Sequence, residues 1–273
     1  MKRPQAARTS NQLRSIVSTW PRRVGALVGS AALAWVISQT LPALWRQTSE
    51  RTGLAPAPLQ VALVTNPDVI TTLDSIENYQ FVVPGGINSV GPPPNGTSER
   101  GRYAWAKRMG GVDALSTTLR LVIRGRSDAP VVLNNLEVET VEARPPLAGT
   151  LVSYLGQGAG EPVRFFEIDL DRSPAAVKYF KRGGQVVLFP YSVSKTDVEV
   201  FDIYAYTLRH DVRWRLRLNY TAADKQGTIT FDDHGRPFET TAPADPSSWH
   251  ELGGKPPSPQ RAYGWQDGKW MEF

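Results

Sequence analysis

Residues 24–45 carry no charged side chain, and strand-like alternation begins only at Leu59. A helix over 24–45, rising about 1.5 Å per residue, spans roughly 33 Å, enough to cross the hydrocarbon core of a bilayer. Lys2, Arg3, Arg8, Arg14, Arg22 and Arg23 precede it with no acid among them, which predicts a cytoplasmic N-terminus. Ala32-Leu33-Ala34 fits the small-x-small pattern of a cleaved signal, but cutting there would leave Trp35-Val36-Ile37 as the new start. The apolar run also outlasts a typical signal core. The pattern therefore predicts a basic cytoplasmic tail over 1–23, an uncleaved transmembrane helix over 24–45 and a polar, proline-ended linker over 46–58. Everything after the helix is expected outside the membrane.

From Leu59 the period changes to two. In 212–220, Val212, Trp214, Leu216, Leu218 and Tyr220 alternate with Arg213, Arg215, Arg217 and Asn219, which predicts a strand with one buried and one solvated face. A turn over 222–227 leads to a return strand with Ile229 and Phe231 on one face. Phe166, Ile168 and Leu170 alternate with Glu167, Asp169 and Asp171; Leu119, Leu121 and Ile123 form another apolar face; Leu136 and Val138 face Glu137 and Glu139. Residues 59–64, 79–83 and the apolar run 185–189 read as further strands. In 198–206 the apolar phase shifts between Val200 and Phe201, as a β-bulge would produce. Residues 174–180 are read as one short helix, and 84–101 as a long Pro/Gly loop. Eight to ten strands with no long amphipathic helix between them predict an all-β domain over 59–242, an antiparallel two-sheet β-sandwich.

Charge refines this picture. The chain has 31 Lys/Arg against 26 Asp/Glu, a formal +5, but residues 1–46 hold seven of the cations and no acid. The outer part is therefore slightly acidic, and the basicity belongs to the membrane flank. A nucleic-acid binder would place its excess cations on the folded domain, so nucleic acid is not an expected partner. Cysteine is absent, which excludes disulfides, thiolate metal ligands and thiol nucleophiles.

Candidate chemistry is sparse. His210, His234 and His250 lack the spacing of a local zinc site. Asp232-Asp233-His234-Gly235 reads as an Asx-type turn with Gly235 at positive φ. Gly156-Gln157-Gly158-Ala159-Gly160 leads into a strand rather than a helix, so it lacks the helix N-terminus that completes a phosphate site. Glu167, Asp169 and Asp171 form an acidic row that oxygen-seeking Ca²⁺ would suit. Arg213, Arg215 and Arg217 form a basic row and Glu137, Glu139 and Glu142 a second acidic one, and the first expectation is cross-strand pairing between basic and acidic rows. Unpaired, the arginines would be a reader of anionic groups. No catalytic, cofactor-binding or metal-binding residue is assigned, and no cofactor.

After Ala242 the composition turns to Pro, Gly and Trp, with Trp249, Trp265 and Trp270 in a tail over 243–273. Aromatics and Arg dominate interface hot spots. Arg213, Arg215, Arg217, Trp249, Trp265 and Trp270 are therefore the candidate interaction residues. The competing reading of the tail is that it folds back over an edge of the domain.

The segments 198–205 and 212–216, followed by Asp232-Asp233-His234-Gly235-Arg236-Pro237-Phe238, resemble membrane-anchored actinobacterial proteins of uncharacterised role that carry a β-rich extracytoplasmic domain. The resemblance covers about the last third of the chain and implies a bacterial envelope without implying an activity. The expected function is a single-pass, membrane-anchored binding module of the cell envelope, held in the lipid bilayer by residues 24–45 and presented to a protein or cell-wall partner. The alternative is an envelope hydrolase or glycan-processing enzyme whose Glu167, Asp169, Asp232 and Asp233 converge in three dimensions.

Overall fold

Alternation is obeyed most strictly in the strand Asp211–Ala222, β11. Its Val212, Trp214, Leu216 and Leu218 are fully buried, while Arg213, Arg215 and Arg217 face outward. The computed structural model describes residues 57–67, 70, 80–94, 101–153, 164–181, 189–243, 261–266 and 268–272. The chain divides into two units, Met1–Ala43 and Leu44–Phe273, and all described residues belong to the second. The basic tail, the apolar span 24–45, the Gly156–Gly160 loop and residues 185–188 of the expected apolar strand lie outside them. No helix among the described residues is long and apolar enough to cross a membrane.

Among the described residues, fifteen strands form two sheets. The five-stranded sheet runs in the order β1 (Leu59–Val64), β4 (Ser116–Gly125), β10 (Val198–Tyr206), β7 (Arg164–Asp169) and β8 (Ala176–Lys181). In the ten-stranded sheet β11 pairs on one side with β5 (Val131–Arg144), which also carries β9 (Tyr191–Val193). On its other side β11 pairs in succession with β13 (Phe238–Thr241) and β12 (Lys225–Phe231). From β13 the sheet continues through β3 (Val112–Ala114), β2 (Gln80–Val83), β6 (Thr150–Ser153) and β14 (Arg261–Gln266) to β15 (Lys269–Glu272).

One hydrophobic cluster joins the sheets. Leu119, Leu121, Ile123, Phe166, Ile168, Phe201 and Ile203 of the smaller sheet share it with Leu133, Leu136, Val212, Trp214, Leu216, Leu218 and Phe238 of the larger. Each such side chain taken out of water contributes about 1.5–3 kcal/mol. A second cluster, with Phe81, Val83, Val90, Trp105 and Val152, sits under the helix α1 (Arg102–Arg108).

Several expectations are corrected. The sheets are mixed rather than purely antiparallel, because β7 and β10, β3 and β13, and β6 and β14 pair in parallel. Alternation reports which face of a strand is buried, not the direction of its neighbour. The segment read as a short helix is β8, whose Lys178 stands opposite Glu167 and Val177 opposite Ile168. No bulge divides Val200 from Phe201, since β10 keeps one register with β4 throughout. The apparent phase shift arises because Val198 and Val200 lie on the outer face, Val200 beside Val122. The irregularities fall instead between β11 and β5, at Arg213/Trp214 and Asn219/Tyr220, where β5 inserts Val141 and Asn134. The Asn134 amide then donates to Thr221 Oγ1 at 2.9 Å. The long loop contains a 3₁₀ turn (Ile87–Ser89) and is followed by α1, which was not expected. Helix α1 starts at Gly101 with φ 94° and buries Trp105 and Ala106.

β4 is buried on both faces. Its outer face places Arg120 against Asp202 of β10, with Nε and Nη2 donating to the two carboxylate oxygens at 2.6 and 2.7 Å. Removing one partner of a buried pair leaves an uncompensated charge, at a cost of about 3–5 kcal/mol, whereas apolar replacement of both is often neutral. Asp202→Ala is expected to lower unfolding stability by that amount in urea titration of the full chain. Arg120→Met combined with Asp202→Leu is expected to recover most of it.

Candidate functional site

The basic row is engaged across the sheet. Register sets Arg213 opposite Glu142, Arg215 opposite Glu139 and Arg217 opposite Glu137. Arg213 lies 3.6 Å from Glu142 and Arg215 3.2 Å from Glu139. Glu137 instead accepts from the Asn135 amide at 2.9 Å. Such exposed pairs contribute about 0–1 kcal/mol each, yet they neutralise the face, which weakens the reading of the arginines as an anion reader.

The acidic row is split among different tasks. Glu167 is 3.7 Å from Lys178, and Asp169 accepts from Arg172 at 3.1 Å. Asp171, past the end of β7, accepts from Thr207 Oγ1 at 2.8 Å and from the Leu208 amide at 2.7 Å, with His210 Nδ1 2.8 Å away. This carboxylate ties the turn before β11 to the end of β7. Nearby, burial and then the Asp169 and Glu167 charges push the Tyr206 hydroxyl up to about 12. Asp232 and Asp233 belong to the other sheet's β12–β13 turn. Asp232 accepts from the Gly235 amide at 2.7 Å, with His234 at φ 55° and Gly235 at φ 91°, the geometry of the Asx turn read from sequence. The four carboxylates proposed for a hydrolase are thus distributed over two sheets. Among the described residues no three His, Cys, Asp or Glu come together as a metal site.

The aromatic residues of the tail do meet. Strands β14 and β15 form a hairpin in which Trp265 stands opposite Trp270, their rings 5.0 Å apart and edge-on. Trp270 also stacks on Trp105 of α1 at 6.3 Å, and its Nε1 donates to the Val90 carbonyl at 3.1 Å. Lys107 lies 5.2 Å over the Tyr103 ring and 2.7 Å from Asp113. Trp265 and Trp270 remain partly exposed, and Met271 at the sheet edge is 40% exposed. The corner therefore offers aromatic, apolar and cationic groups together. Trp249 lies outside the described residues.

Two polar networks flank β13, and sequence reasoning missed both. On the inner side the Trp214 indole donates to Thr240 Oγ1 at 3.0 Å, Thr240 is 2.7 Å from Thr117 Oγ1, and Thr117 donates to Asp113 at 2.8 Å. Because the single Thr117 proton goes to Asp113, the Thr240 hydroxyl must donate to Thr117, and Lys107 closes the chain. On the outer side Arg144 Nε donates to Asp211 Oδ2 at 2.9 Å, and Arg144 Nη2 reaches both Asp211 and Glu239, the latter at 2.8 Å. Asp211 is fully buried. An Asp just ahead of an alternating run carries no signal that separates it from a solvated strand end.

No family model matches this chain, and neither a curated protein nor a solved structure does. The functional reading rests on its own residues. Trp270→Ala removes two ring contacts and a hydrogen bond, each worth about 0.5–1.5 kcal/mol. A stability loss of about 1.5–4.5 kcal/mol is expected in urea titration, and a loss of less than about 0.5 kcal/mol would show that the hairpin does not depend on these contacts.

Proposed function

We propose that this protein is a single-pass membrane protein that displays its β domain outside the cytoplasmic membrane. There it acts as a binding module for a protein or cell-wall component. The observation that carries the reading is the uncharged stretch 24–45 behind six cations and no acid, the pattern of a helix inserted with its N-terminus inside. The polar linker over 46–58 fits a tethered display. The β14–β15 corner is the proposed contact surface, because Trp265, Trp270 and Met271 combine partial exposure with a framework that holds the rings in place. Aromatic anchors of this kind lose little conformational entropy on binding. The Arg213, Arg215 and Arg217 face is a weaker candidate, since its charges are matched across the sheet.

Full chain carrying an epitope at each end tests the topology. Alkaline carbonate washing is expected to leave it in the membrane pellet. Protease added to spheroplasts is expected to remove the C-terminal epitope and spare the N-terminal one. Recovery in the soluble fraction, or protection of the C-terminal epitope, would sink the proposal. For the contact surface, a photo-crosslinker at position 265 in intact cells is expected to yield an adduct that the same group at Val141, exposed on β5, does not.

A further inference from the structure

The ten-stranded sheet consists of two halves joined through β13. Strand β13 pairs with β11 only along Asp211–Thr241, Val212–Thr240, Arg213–Glu239 and Trp214–Phe238, and with β3 only at Thr240–Asp113 and Thr241–Ala114. The outer network lies on this seam. One guanidinium nitrogen, Arg144 Nη2, touches a carboxyl oxygen of both Asp211 and Glu239. The second oxygen of Asp211, Oδ1, is buried without a hydrogen-bond partner. Fully ionised, the two carboxylates would share one cation, with a buried lone oxygen left over.

We infer that Asp211, held beside Glu239 on one shared guanidinium, is a proton-binding group at this seam, so that proton uptake fastens β13 to β11 and proton release loosens the joint between the two halves of the sheet. A proton on Asp211 turns the unmatched oxygen into a donor and removes the repulsion between the two acids. It arrives from solvent, to which the Glu239 side chain is 30% exposed while that of Asp211 is 0% exposed. Burial pushes the Asp211 carboxyl up to about 6; the Arg144 hydrogen bond opposes the rise and the Glu239 charge adds to it.

Other charged groups surround Asp211 and Glu239. From β5, Glu142 lies 3.9 Å from Arg144 and 3.6 Å from Arg213 of β11. From the turn before β11 come Arg209 and His210, the latter engaged by Asp171. From β3, Asp113 is held by Lys107 and Thr117.

An acid whose folded-state value stands above its unfolded value of 3.8 favours the closed seam fully below that value. The contribution fades as pH rises through about 6 and is absent above it.

Amide hydrogen exchange on the full chain in detergent micelles, corrected for intrinsic base catalysis, reads this directly. Between about pH 5 and about pH 7.5, protection in segments 211–214 and 238–241 is expected to fall about tenfold relative to the β4–β10 ladder, as the linkage requires. In Asp211→Asn that ratio is expected to stay constant with pH. Parallel behaviour of seam and β4–β10 amides in the unsubstituted protein would overturn the inference, and so would an Asp211→Asn protein that retains the pH-dependent ratio. Should Asp211→Asn fail to fold, the comparison within the unsubstituted protein decides alone.

Discussion

The short pairing between β11 and β13 is the constraint on which the larger sheet depends. Within that sheet, the strands β3, β2, β6, β14 and β15 are hydrogen-bonded to β11 through it. A ladder of that length is weak by itself, since isolated strand pairs are marginal in water. It is reinforced on both faces by side-chain networks. Trp214 anchors the inner one: its ring packs at 4.9 Å on Phe238 of β13, and its indole proton begins the chain through Thr240 and Thr117 to Asp113.

The polar groups of this protein are disposed according to depth. The outer ladder of Arg213 and Arg215 against Glu142 and Glu139 is solvated and contributes little energy. Its consequence is register, because a one-residue slip would turn the arginines inward and the apolar set outward. Arg120 and Asp202 are both desolvated, and so is Asp211 beside the 38%-exposed Arg144; an unmatched charge is costly at such depth. The first pair is a closed two-oxygen fork and holds β4 to β10. The second shares its cation with Glu239, and that imbalance makes it responsive to protons. The aromatic corner, tied to the seam through Lys107 and Asp113, rests on helix α1, so the proposed contact surface sits on the outer half of the sheet.

Legibility varied by element. The apolar sets of β11, β7, β4 and β5 were readable because each strand has one face in the core. The pairing of basic with acidic rows was readable as well, since opposite charges on neighbouring strands favour that alignment. Strand β8 was read as a helix: six residues after a Ser-Pro step are too few for period two to stand out, and Lys178 finds its meaning only opposite Glu167. Helix α1 was missed because its buried side comprises only Trp105 and Ala106. Val198 and Val200 mimicked a bulge because β10 is an interior strand with apolar residues on both faces at that end. Trp265 and Trp270 were marked out by residue type, whereas their partners Trp105 and Val90 were not, since no local pattern links positions so far apart in the chain.

By itself the amino-acid order determined which side chains each strand turns inward, and where the uncharged, cation-flanked segment lies. Both are local properties, set by a two-residue repeat and by a run of apolar residues. The tertiary structure alone decided which strands are neighbours, which of them run parallel, and that Asp211 is buried beside Arg144 and Glu239. Those outcomes depend on segments distant in sequence arriving at the same place. The environment of a carboxylate, and with it the chemistry available to it, is created by that arrival and not by the residues on either side.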